Sequence, residues 1–237
     1  MEGKLIIFEG IECSGKGVQT IMLLKYLQDL GKKVILVREP GGTLYGEALR
    51  GLIKHPKMAI QAINGAFIGH EDFPQTLDLS AGFDNRSPYC ELFMFAAARA
   101  EFFDKVVKPA LKDGKIVISD RGPNSTTAYQ GGGRFNHDPI MIQAIYEINH
   151  IATQGITPYL TLLLDISIEE MIKRRKRESE KDAHFEKTCD RAFFERVRTE
   201  YHNIAKEDID LEIIDGEMDV ESVFEAIKKE VNKLIGV

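Results

Sequence analysis

Residues 5–18 read Leu5-Ile6-Ile7-Phe8-Glu9-Gly10-Ile11-Glu12-Cys13-Ser14-Gly15-Lys16-Gly17-Val18. A short apolar run enters Gly-x4-Gly-Lys directly, and a stretch with helical spacing follows. Strand, glycine-bounded turn and helix in that order form a phosphate-binding loop. The glycines let the main chain curl so that successive N–H groups point inward. The helix N-terminus adds partial positive charge, and Lys16 adds a full one. Gly10, Ile11, Glu12, Cys13, Ser14, Gly15, Lys16, Gly17 and Val18 are therefore the candidate residues for holding a nucleoside triphosphate.

Outward from this loop, apolar runs alternate with amphipathic segments. Leu5–Glu9, Lys33–Val37, Lys115–Ser119 and Tyr159–Asp165 read as strands, with Leu211–Ile214 a shorter fifth. Their Ile/Val/Leu content without alternation is that of parallel strands covered on both faces. Helical spacing covers Lys16–Leu30, Tyr45–Lys54, Glu91–Lys112, Pro139–Thr153, Ile168–Ser179, Arg191–Glu207 and Val220–Ile235. Repetition of strand then helix predicts a single α/β domain over residues 1–237, a parallel sheet wound by right-handed crossovers. His55–Pro88 breaks the rhythm and shows no clear period, so a functional or mobile excursion is expected there.

Composition narrows the function classes. With 31 basic and 37 acidic residues in 237 the formal charge is −6, so neither a nucleic-acid polymer nor a membrane surface is an expected partner. Cys13, Cys90 and Cys189 lie far apart, without metal-ligand spacing, which argues for a reducing compartment and no disulfide framework. The N-terminal apolar run is too short for a signal-peptide core. A cytoplasmic location is the expectation.

Further blocks carry chemistry: Arg38-Glu39-Pro40-Gly41-Gly42-Thr43, Phe95-Ala96-Ala97-Ala98-Arg99, Asp120-Arg121, and Thr126-Thr127-Ala128-Tyr129-Gln130-Gly131-Gly132-Gly133-Arg134. Asp120 closes a buried strand beside the phosphate loop, where an Asp can hold Mg²⁺ through water. Arg121 offers a planar fork to phosphoryl oxygens. Phe95 and Arg99 stand four residues apart, on one helix face.

In this order, and together with FEGIECSGKG, these blocks resemble the thymidylate kinase family of P-loop nucleoside monophosphate kinases. The resemblance covers nearly the whole chain outside His55–Pro88. It implies a P-loop NTPase fold of three layers, a five-stranded parallel sheet flanked by helices, with a lid over 173–198. It also implies transfer of the γ-phosphoryl of ATP to dTMP, giving dTDP, with ATP and Mg²⁺ as cofactors and a homodimer as the assembly. By the same resemblance Phe95 stacks on the base, and Arg99 and Arg50 contact the monophosphate. Glu39-Pro40 is a cis turn, while Thr126, Tyr129 and Gln130 line the base and sugar pocket. Glu12 meets the sugar 3′-hydroxyl and an arginine. Lys16, Glu12, Arg121 and a lid arginine form the expected catalytic set.

Three departures accompany the resemblance. Gly17-Val18 stand where a Ser or Thr hydroxyl would bind Mg²⁺. A Lys-Gly step resembles that of adenylate kinases, in which Thr follows; one neutral ligand is lost, and water can take its place. The Lys173-Arg174-Arg175-Lys176-Arg177 run nominates Arg174 and Arg177 as lid arginines, with Arg191 behind them, but Asp182-Ala183-His184 has His where Arg is usual. The 55–88 stretch is an insertion beside two helices that carry expected substrate contacts. The alternatives are a kinase of another nucleotide or nucleoside acceptor, and a nucleotide-binding pseudo-enzyme.

Overall fold

The computed structural model describes residues 3–67, 86–176 and 190–236. Five parallel strands form one sheet: β1 (Lys4–Glu9), β2 (Val34–Arg38), β3 (Ile116–Asp120), β4 (Leu160–Asp165) and β5 (Leu211–Asp215), in the order β2-β3-β1-β4-β5. Each sits within one residue of the stretch its apolar content marks. β1 is central, pairing Phe8 with Asp120 on one side and with Leu162 on the other. The chain reverses its winding here, so the carboxyl ends of β1 and β3 open a crevice.

The helices are α1 (Lys16–Asp29), α2 (Leu44–Lys54), α3 (Pro56–Phe67), α4 (Pro88–Phe102), α5 (Lys108–Lys112), α6 (Pro123–Thr126), α7 (Pro139–Ala152), α8 (Ile168–Arg175), α9 (Arg191–Glu207) and α10 (Val220–Ile235). Their starts follow local chemistry. Thr43, Ser87, Ser167, Asp190 and Asp219 each accept a hydrogen bond from a main-chain N–H of the first turn, satisfying groups that no helical carbonyl reaches.

Three expectations are corrected. The 55–88 stretch is not without regular structure, because α3 occupies its first third. The Glu91–Lys112 segment is not one uniform helix: a π-turn at Phe103–Val107 separates α4 from α5. It lets Phe102 and Phe103 both be buried, with rings edge to face at 5.9 Å. Finally, 123–134 is helical, with α6 passing into π-helix at Thr127–Arg134. Its three glycines concealed it from a propensity reading. Gly131 is required by close packing on α7, and Gly132 and Gly133 by packing on α9, where a Cβ on Gly133 would lie 2.5 Å from the Phe193 ring.

One face of the sheet, with Ile6, Phe8, Leu162 and Leu164, packs on α1 and α10 through Leu23, Leu27, Ile227 and Val231. The other face carries two separate apolar clusters. Leu5, Ile7 and Val117 pack with Phe102, Phe103 and Val107. Leu163 packs with Phe194, Val197 and Tyr201 of α9.

Candidate functional site

The phosphate loop folds as its sequence requires. Gly10 has φ +138, and a Cβ there would lie 2.5 Å from the Leu164 carbonyl oxygen, so only glycine fits where β1 turns away from β4. Lys16 is buried, and its Nζ donates to the carbonyls of Gly10 (3.0 Å) and Ile11 (2.9 Å) and to Ser14 Oγ (3.1 Å). Burial, and next the Arg121 charge, push its pKa down to about 8. Phosphate oxygens would reverse that penalty. Val18 is half exposed, and a Cβ added at Gly17 meets nothing within 4 Å. The missing hydroxyl is therefore a chemical omission without a steric cause.

Opposite the loop, Arg121 has φ +76, just past the end of β3. Its Nη1 donates to the Gly10 carbonyl (3.2 Å) and to Ser125 Oγ (3.1 Å). Its Nη2 reaches Glu12 Oε1 (3.5 Å) and the Tyr129 hydroxyl (3.4 Å). Tyr129 itself donates to Glu12 Oε1 at 2.7 Å, while Glu12 Oε2 is buried with no partner among the described residues. Glu12 thus presents one uncommitted carboxylate oxygen beside the arginine.

Glu9 supports this turn, and nothing in its sequence context marked it. It is wholly buried and accepts from Gly122 N–H (3.0 Å), Ser125 N–H (3.0 Å), Ser125 Oγ (2.5 Å) and the Tyr201 hydroxyl (2.8 Å). Burial raises its pKa, against those hydrogen bonds and Arg121. The only early signal was a carboxylate ending an otherwise apolar strand.

A narrow cleft opens beside the loop. Of the residues predicted to bind substrate, Glu39, Pro40, Phe95, Arg99, Arg121, Thr126, Tyr129 and Gln130 all line it, as does Glu12. With Glu12 they come from four regions of the chain. Ile53, Lys54 and Ser125 also line it and were not foreseen. Arg50 is not among the lining residues; its Nη1 donates to the Pro40 carbonyl at 2.8 Å. The Glu39–Pro40 bond is cis.

Arg99 is buried more deeply than a phosphate clamp needs to be. It donates to Thr126 Oγ1 (2.8 Å), Asn149 Oδ1 (2.8 Å) and the Gly122 carbonyl (2.9 Å). Its Nε lies 2.9 Å from Glu39 Oε2. Burial pushes Glu39 up to about 7, with Arg99 acting against the shift. Arg99 is thus held by Glu39, Thr126, Asn149 and the Gly122 carbonyl at once. Gln130 is fixed differently: its Nε2 donates to Glu91 Oε1 at 2.9 Å. A carboxylate only accepts, so the Gln130 carbonyl oxygen is turned away from Glu91.

Among the described residues no three His, Cys, Asp or Glu side chains gather to hold a metal ion. Asp120 Oδ1 is nevertheless buried with no hydrogen-bond partner among the described residues. One such oxygen fits Mg²⁺, which keeps its waters and relies on substrate phosphates rather than a protein cage.

At the base of the expected lid, Arg174 donates from Nη1 to the Cys13 carbonyl (3.2 Å), from Nη2 to the Gly216 carbonyl (2.8 Å) and from Nε to Glu170 (2.9 Å). It therefore touches the phosphate loop directly. Arg191 instead pairs with Glu169 and Glu195 on an exposed face, away from the loop. Arg177 lies outside the described residues, as do 178–189 and 68–85.

A sequence model of the thymidylate kinase family matches residues 8–70 and 79–227. Only 71–78 of the 55–88 stretch lies between the matched segments. The thymidylate kinase of Thermosipho melanesiensis is 38% identical over 97% of this chain and 98% of its own. That of Kosmotoga olearia is 36% identical over 95% and 93%. The crystal structure of thymidylate kinase from Ehrlichia chaffeensis shares 28% identity at a TM-score of 0.62, covering 97% of this chain and 99% of that one. The matches to these relatives run over more than nine-tenths of this chain and of each of theirs, and the chain belongs to the thymidylate kinase family.

Proposed function

We propose that this chain transfers the γ-phosphoryl group of ATP to dTMP, giving dTDP. The observation that carries this reading is the position of Arg121. Its guanidinium touches the Gly10 carbonyl of the phosphate loop and Glu12 on the wall of the cleft. A triphosphate in the loop and a monophosphate in the cleft would thus meet at one cation.

The loop amides and Lys16 bind the β and γ oxygens of ATP, and Arg121 bridges toward the acceptor phosphate. That phosphate needs no general base, because a monoester has its second pKa near 6. Its oxygen is already ionised at neutral pH, and the proton count does not change as it attacks. Glu12 then orients the sugar hydroxyl through its uncommitted oxygen. Catalysis reduces to alignment and charge neutralisation. When bound, Mg²⁺ would neutralise charge on the β and γ oxygens, held through water by Asp120. Arg174, already against the Cys13 carbonyl, is the described arginine best placed to contribute from the lid base.

Base choice follows from Gln130. Its carbonyl oxygen, turned away from Glu91, complements a ring N–H donor such as N3–H of thymine, where cytosine carries an acceptor. Phe95 supplies the ring face. Homodimerisation would use the exposed side of α2, α3 and α4, which shows Leu44, Tyr45, Met58, Tyr89 and Phe93 to solvent. A cytoplasmic setting suits Cys13 and Cys90, neither of which is in a disulfide among the described residues.

The test is a coupled assay with ATP, Mg²⁺ and a panel of nucleoside monophosphates. Turnover strongly preferring dTMP is the expected result. Preference for another acceptor, or tight binding of both nucleotides without turnover, would overturn the reading.

A further inference from the structure

A second cavity lies behind the Arg121 turn, outside the nucleotide site. Its volume is about 480 Å³. It exists because α7 packs on α4 and on the 123–134 helix and stands off the sheet. Beneath it the two apolar clusters of that sheet face do not join. The floor between them is Ile7 of β1 and Thr161 of β4, which are register partners. The roof is one side of α7, with Tyr146, Asn149, His150 and Thr153. Asp208 closes one end.

Two independent observations point to a ligand. Thr161 is fully buried near the start of the interior strand β4, yet its Oγ1 has no hydrogen-bond partner among the described residues. A buried hydroxyl left so is costly, and a partner entering the cavity would remove that cost. The second observation is charge. Glu147 and Asp208 line the cavity beside Glu9, whose carboxylate is already taken up by four hydrogen bonds; His150 is the one basic group of the lining, and none of the described lining residues is Lys or Arg. The Tyr146 hydroxyl on the roof feels the same field: burial, then Glu200, Glu207 and Asp208, push its pKa up to about 12. Phosphates and nucleotides are repelled from such a wall, while a positive group is drawn in. Ile7, Ile156, Pro123 and Pro158 supply apolar surface for the body of a ligand.

We propose that this cavity binds a small organic ammonium ion. The ammonium donates to Thr161 Oγ1 and lies toward Asp208 and Glu147, and the apolar body covers Ile7, Ile156 and Pro158. The site is wired to the nucleotide cleft at two points. Glu9 accepts the N–H groups of Gly122 and Ser125, which carry the Arg121 turn. Asn149 accepts from Arg99 Nη1 and donates to the Pro123 carbonyl at 3.0 Å. Occupancy therefore shifts acceptor affinity, and linkage requires the acceptor to shift amine affinity by the same factor.

The experiment is calorimetric titration of the full chain with benzylamine, with benzyl alcohol as the neutral probe of matching shape, and needs no turnover. Benzylamine is expected to bind saturably at one site per chain, and benzyl alcohol more weakly. Thr161→Val should cut benzylamine affinity by about 3- to 10-fold, the equivalent of one hydrogen bond. It should also leave the protein no less stable to heat, since it removes the orphaned hydroxyl. Asp208→Asn with Glu147→Gln should erase the preference for the amine over the alcohol. Absence of saturable amine binding, equal affinity for the two probes, or affinity unchanged in all variants would overturn the proposal. So would benzylamine binding that dTMP simply abolishes by competition, since that would place the amine in the nucleotide cleft.

Discussion

The phosphate loop and the acceptor cleft lie within hydrogen-bond reach of each other, but they are built on opposite plans. In the loop, the Lys16 ammonium is satisfied within six residues of its own position. In the cleft, Arg121 reaches back 111 residues to Gly10, and Arg99 reaches forward 50 to Asn149. The first is a local conformation, set by glycines and a helix start. The second is a tertiary assembly whose polar groups satisfy one another across three layers. A local site tolerates change elsewhere in the molecule, whereas an assembled one is sensitive to any of its supports.

The largest effect that could break this contrast is at Lys16. Lys16→Ala should lower kcat by about 10²–10³-fold, the scale of removing one charge-stabilising group from a phosphoryl transition state. Circular dichroism and thermal melting should show the fold intact, because the partners of Lys16 are all local. Turnover within tenfold of the parent would mean that the loop does not carry the chemistry.

Glu9→Gln probes the assembled side. The variant sets an NH2 group against donors that now share four hydrogen bonds with the carboxylate, so unfolding should become easier by about 2–3 kcal/mol. The KM for dTMP should rise while the Kd for ATP stays within a few-fold. Denaturant melts and separate titrations of the two nucleotides check this; equal weakening of both nucleotides would dissolve the distinction between the regions.

A pH titration sharpens the contrast further. The Lys16 pKa in the free protein is lowered to about 8, below its unfolded value. Between pH 8 and the unfolded pKa the native state holds fewer protons at this site than the unfolded chain. The burial penalty on folding is therefore present below pH 8 and is lifted as pH rises. ATP binding has the opposite need, since it requires the charge. Its Kd should weaken above about pH 8, with proton uptake measurable from the buffer dependence of the binding heat. A flat Kd from pH 7 to 9.5 would refute a depressed Lys16.

The smallest effect is expected at Gly17→Thr. Because a Cβ there meets open space, the melting temperature should move by no more than a degree or two. The concentration of Mg²⁺ giving half-maximal rate should fall a few-fold if the hydroxyl displaces a water. An unchanged titration would show that water already serves as well.

How much of this was readable beforehand follows from the same contrast. All five strands and the phosphate loop were visible because each is specified by adjacent residues, through apolar runs and glycine placement. Eight expected cleft residues were found together because the family blocks carry them. Glu9 was not singled out, because a carboxylate at a strand end has no meaning until Ser125 and Tyr201 are brought to it. The 123–134 helix was missed because three glycines argue against helix until Phe193 is seen pressing on Gly133. α3 was missed although Ala59, Ile60, Ile63 and Phe67 recur at helical spacing, because the glycines and prolines of the whole 55–88 stretch outweigh that short stripe.

One feature of the loop bears on which ligands can enter it. The Lys16 ammonium is already coordinated by three oxygens of its own turn, so an arriving nucleotide finds no bare cation and must outbid internal ligands. A lone phosphate or a nucleoside monophosphate brings too few anionic oxygens to win that exchange cleanly. A triphosphate brings enough to displace the carbonyls and settle against the amides. Selection for the longer polyphosphate therefore begins before the adenine is touched, as a threshold set by the protein's own main chain.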